Sequence, residues 1–169
     1  MNKKKIDINN VSKNLDLSLI YLELDHIVVN PDKRVYVVLT DGERESGVEI
    51  NSYEASMLSF VHKGLHNNSH IHTIHQLYVK VLKQFKIEVD QISIESKVGD
   101  VIYCSVKMTD SALNESFSIV SLVDGLIISA ITKKPLLAIN EVWQAMDQID
   151  EWDYEEFIMD FDPDDEDED

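Results

Sequence analysis

A single cysteine among 169 residues, Cys104, leaves no way to build an intrachain disulfide or a thiolate metal cluster. Nothing in the chain therefore requires an oxidising compartment. Five glycines and three prolines are too few for a fibrous or loop-dominated chain. The longest apolar stretch, 119–131, is broken by Asp124, Gly125 and several serines, and it falls short of the roughly 20 residues that span a bilayer. The basic start Met1-Asn2-Lys3-Lys4-Lys5 is not followed by the apolar core of a signal peptide. A soluble, cytoplasmic protein with no membrane contact is the expectation.

Bases are missing from one region entirely. Residues 151–169 hold twelve acids and no Lys or Arg, while the whole chain has 32 acids and 15 bases. The remaining 150 residues thus carry 20 acids against 15 bases, a net of −5 within the total of −17. The body is mildly acidic and the end is a polyanion, so no general field draws nucleic acid to the surface.

What is present is a globular composition, 44% apolar, in a length that suits one domain. The pattern predicts a polar leader over 1–16, a folded domain over 17–148 and a disordered acidic tail over 149–169. Within the domain, Leu17 to Val29 reads as a strand covered on both faces for much of its length. Val35–Thr40 and a short strand near Gly47–Ile50 follow, separated by the turn signals Asn30-Pro31-Asp32 and Asp41-Gly42. Ser52 is the expected cap of a first helix, ended by Gly64. Thr73 to Lys86 reads as a second helix, with Ile74, Leu77, Tyr78, Val81, Leu82 and Phe85 at three- and four-residue spacing.

Strands are then expected at 87–96, 100–109 and 117–120, and Cys104 falls inside the second as a small buried hydrophobe. A third helix follows from about Val123 to Lys133, stopped by Pro135. A short strand at 136–138 and a last helix capped by Asn140 complete the chain. Grouped strands without strict β-α alternation predict an α+β fold, with a mixed, largely antiparallel sheet and about four helices packed against it.

Several segments in the right order resemble the bifunctional nuclease family, also called DUF151. They are Asp25-His26-Ile27-Val28-Val29-Asn30-Pro31, Glu49-Ile50 with Glu54-Ala55, Ile74-His75-Gln76-Leu77, and Val123-Asp124-Gly125-Leu126 through Pro135-Leu136-Leu137-Ala138. The resemblance implies a nuclease acting on DNA or RNA. Ile74 and Gln76 stand where that family has Thr and Asp beside the histidine. Ser121-Leu122-Val123 stands where it has Arg-Pro-Ser, so a phosphate-clamping arginine is lost. His75, Asp124 and Glu54 are the polar positions retained, and they are the catalytic candidates. His75 would act as general base, with Glu54 or Asp124 orienting it or holding a divalent ion such as Mg²⁺ or Mn²⁺. The competing reading makes His75 a helix-start residue and Asp124 a helix cap or a complement to the helix dipole.

Three further features stand apart. His62, His66, His70 and His72 lie close to His75, at spacings that suit zinc, copper or nickel; a solvated polar loop is the alternative. In 151–169, Trp152, Tyr154, Phe157, Ile158, Met159 and Phe161 are set among carboxylates. That suits a segment that docks on a basic, partly apolar protein partner, or one that keeps the chain soluble or folds back on its own basic surface. Lys80, Lys83 and Lys86 form a modest cationic stripe on the second helix, which reads as a solvated face or as a contact for phosphate or for the acidic end. A homodimer is expected if exposed strands pair across subunits.

Overall fold

A computed structural model describes residues 18–64 and 73–146. The leader, the segment 65–72 and the acidic end lie outside the described residues, and with them the readings placed there. The described chain runs β1 (Leu19–Val29), β2 (Val35–Thr40), β3 (Glu45–Ile50), α1 (Ser52–His62), α2 (Ile74–Gln84), β4 (Ile87–Val98), β5 (Val101–Asp110), β6 (Glu115–Ser121), α3 (Leu122–Thr132), β7 (Leu136–Ile139) and α4 (Asn140–Gln144).

The strands form one mixed sheet in the order β3-β2-β1-β7-β4-β5-β6. Every neighbouring pair is antiparallel except β4 with β7. The fold is α+β, as expected. β1 is the bridge: Leu19–Leu22 pair with β7, Glu23–Val29 pair with β2, and the register shifts between Leu24 and His26. An irregularity of this kind bends and twists a strand, which lets one long strand serve two partners.

Alternation fixes which face is the core. Val35, Val37 and Leu39 of β2 join Ile92, Ile94, Cys104 and Val106 beneath Ala55, Leu58 and Val61 of α1 and the inner side of α3. Val28 and Val38, on the opposite face, form a small second cluster with Tyr36. α3 is the central helix and packs on α1, α2, β4 and β5. It sits so close that a Cβ at Gly125 would lie 2.9 Å from both Cβ and Sγ of Cys104. Glycine is the residue that allows this approach.

Several sequence expectations need correction. β1 is not covered on both faces, because Leu19 and Tyr21 are exposed. α1 is capped by Asn51 rather than Ser52, and the α4 cap is Ile139, with no side-chain bond, rather than Asn140. The end of α3, by contrast, falls where expected: its cap is Lys133 in the left-handed region (φ 59°), two residues before Pro135. α2 buries Gln76 and Val79, while Ile74, Leu77, Val81 and Phe85 stay exposed. Lys86 also adopts a positive φ (56°) past the end of α2, so the lysine stripe does not continue along one helix face.

Candidate functional site

Two helix starts meet where His75 and Asp124 sit. At α2, Thr73 Oγ1 accepts from Gln76 N–H (3.2 Å) and Gln76 Oε1 accepts from Thr73 N–H (2.8 Å). This reciprocal box fixes the first turn and aims His75 toward α3. At α3, Ser121 is the cap: its Oγ accepts from Asp124 N–H (3.2 Å), and its hydroxyl donates to Asp124 Oδ2 (2.7 Å). Asp124 is therefore not the cap but lies three residues inside it. There its charge suits the positive end of the helix dipole.

Across the junction His75 Nε2 lies 2.8 Å from Asp124 Oδ1, joining residues 49 positions apart. An ionised carboxylate only accepts, so Nε2 is the protonated nitrogen of this pair. The other nitrogen, Nδ1, is buried and has no hydrogen-bond partner among the described residues. His75 is 16% exposed and Asp124 47%, so the carboxylate is the more accessible member. Burial pushes the Asp124 carboxyl up, but the hydrogen bonds it accepts from His75 and Ser121 outweigh it. The net shift is below the ordinary carboxylate value.

Glu54 is placed elsewhere. Its Oε2 accepts from Asn51 N–H (2.9 Å) while Asn51 Oδ1 accepts from Glu54 N–H (2.9 Å), which is a capping box for α1. Glu54 also lines a half-open cavity of about 650 Å³ between β2–β3 and the tip of the β4–β5 hairpin, with Tyr36, Lys97 and Asp100. Neither His75 nor Asp124 lines that cavity. The three catalytic candidates thus divide into a joined pair and a separate cap.

His62 ends α1 and borders a second cavity of about 400 Å³, beside Leu58, Leu126 and Ser129. His66, His70 and His72 lie outside the described residues. Among the described residues no group of three His, Cys, Asp or Glu side chains is placed to hold a metal ion. Cys104 is buried in β5, and burial, followed by the charges of Glu95 and Asp124, pushes its thiol up to about 12. It is a packing residue, not a nucleophile.

Two residues of this junction escaped the sequence reading. Ser121 carried a usable signal, since Ser-x-x-Asp is the spacing of a side-chain cap that reaches its own third helical residue. Gly125 carried none beyond its place in an apolar helix. No protein-family model matches the chain, and no curated protein matches it.

Proposed function

We propose that this protein is an interaction or regulatory domain on a bifunctional-nuclease-like scaffold, which engages a basic partner through its acidic, aromatic residues 151–169. The observation that carries this reading is the closed hydrogen-bond set at the helix junction. Both Asp124 oxygens accept bonds from protein donors, and the free nitrogen of His75 is buried. A general base needs an exposed lone pair within reach of an attacking water. A second proton at Nδ1 of His75 would be a buried donor with no acceptor among the described residues. Ser121 stands where the resembled family has its arginine, so cationic compensation for a phosphodiester is also lacking at that position.

A second reading, hydrolysis of DNA or RNA phosphodiesters, is favoured by one fact: His75 and Asp124 do meet, from distant parts of the chain. On that reading Asp124, as the more exposed group, faces the substrate.

The test is binding of two fluorescent peptides of equal positive charge, one of lysine and serine, the other of lysine and leucine. The full chain should bind the apolar-containing peptide more tightly, and truncation after Gln148 should abolish the difference. Equal binding of both peptides, or binding unaffected by truncation, contradicts the proposal.

A further inference from the structure

We propose that two copies of this chain pair edge to edge through β6, with the outer flank of α2 closing over the junction. The two sheet edges are unlike. β3 carries Glu45 and Glu49, the latter paired with Arg34 at 3.4 Å, and charge of this kind blunts an edge. β6, Glu-Ser-Phe-Ser-Ile-Val-Ser, has its one charge at its first position, where Lys107 Nζ holds Glu115 at 2.6 Å. It contains no proline, and its register with β5 runs without a bulge from Tyr103↔Ser121 to Thr109↔Glu115. Among the described residues none of the usual devices that stop a strand from recruiting another is present.

The strand is also complementary to itself. Antiparallel pairing about a two-fold axis at Ser118 sets Phe117 against the partner's Ile119, and Ile119 against the partner's Phe117. Glu115 then faces the partner's Ser121, so no like charges oppose each other. Phe117 and Ile119 are 60% and 63% exposed, on the sheet face away from the helices.

α2 adds the other half of the surface. Ile74, Leu77, Val81 and Phe85 recur along one flank and are between 40% and 72% exposed. Next to that flank on the helix is Tyr78, whose hydroxyl lies 3.3 Å from Met108 Sδ on β5, and Met108 pairs with Ser116 of β6. The flank therefore lies toward the β6 edge, while His75 turns to α3. Lys83 projects from the opposite side of the helix. The six apolar side chains present on the order of 700 Å² per copy, close to the ~800 Å² per partner of a standard interface. The two-fold register is what selects a second copy over an unrelated chain.

Sedimentation equilibrium of the full chain tests this. The expected mass is twice the 19.4 kDa of one chain. Ile119→Lys should raise the dissociation constant at least about 100-fold, since the change enters the interface twice. Glu49→Lys on β3 should leave the dimer intact. Ser118→Cys should form a disulfide-linked dimer under mild oxidation, because facing residues near the axis meet disulfide spacing and Cys104 is buried. A monomeric wild type at high micromolar concentration overturns the proposal. So does an Ile119→Lys dimer of unchanged affinity, or a Ser118→Cys chain that does not cross-link.

Discussion

The start of α1 and the junction of α2 with α3 use the same residue types for different ends. At α1, Asn51 and Glu54 exchange two bonds within four residues, and the result serves one helix. At the junction, Ser121, Asp124 and His75 make a chain of bonds that crosses 49 positions and ties two helices together. A carboxylate stands at the third position of the helix in both places, but only at α1 does it cap the helix; at α3 the cap is Ser121. Only the second is coupled to tertiary structure, so only the second should respond to changes in packing.

That contrast can be strained from the packing side. Gly125 follows Asp124 directly, and any Cβ there meets the short Cys104 side chain at 2.9 Å, with Ile92 at 3.3 Å. Gly125→Val should lift α3 from β5, draw Asp124 off His75 and cost about 3 kcal/mol or more in urea unfolding. A loss below about 1 kcal/mol would mean that the junction tolerates displacement.

Removing the carboxylates themselves should give smaller and unequal effects. Asp124→Ala strands the His75 Nε2–H and is expected to cost about 2 kcal/mol. Glu54→Ala, which removes one local bond, should cost about 0.5–1 kcal/mol. Equal losses in the same unfolding experiment would erase the distinction between clamp and cap.

The smallest effect is in pH. The Asp124 carboxyl is held below its ordinary value in the folded chain. Its contribution to stability is therefore present above the unfolded value of about 3.9 and is lost as pH falls through the lower folded value. Because the group is about half exposed, solvent screening keeps this contribution modest. The stability gap between wild type and Asp124→Ala should narrow below about pH 4. A gap that stays constant down to the acid transition would show that the charge contributes nothing.

Much of this architecture could be read in the residues. Grouped strands announced an α+β fold, and the three- and four-residue spacing announced α2. Which part of α2 faces inward could not be read. Its apolar arc, from Leu77 through Ile74 and Tyr78 to Leu82, is wider than the contact it makes, so periodicity marked the helix without marking its buried side. Caps were displaced by a residue or more for a related reason. Asn51 and Ser52 are both good cap residues, as are Ser121 and Asp124, and the backbone conformation of one of them decides. In β1 the apolar residues on both sides suggested two covered faces, whereas Leu19 and Tyr21 lie on a face that no described helix covers. The meeting of His75 with Asp124 was a proposal that spacing could not supply, because α2 and α3 are brought together by three intervening strands.

On the proposed function the junction of α2 with α3 is a clamp rather than a reaction centre. Incubation of the full chain with end-labelled single-stranded DNA and RNA, with and without Mg²⁺ or Mn²⁺, tests it most directly. No cutting above the protein-free control is expected, in wild type and in a folded Asp124→Asn variant alike. Metal-dependent cutting by the wild type that disappears in folded Asp124→Asn would contradict it.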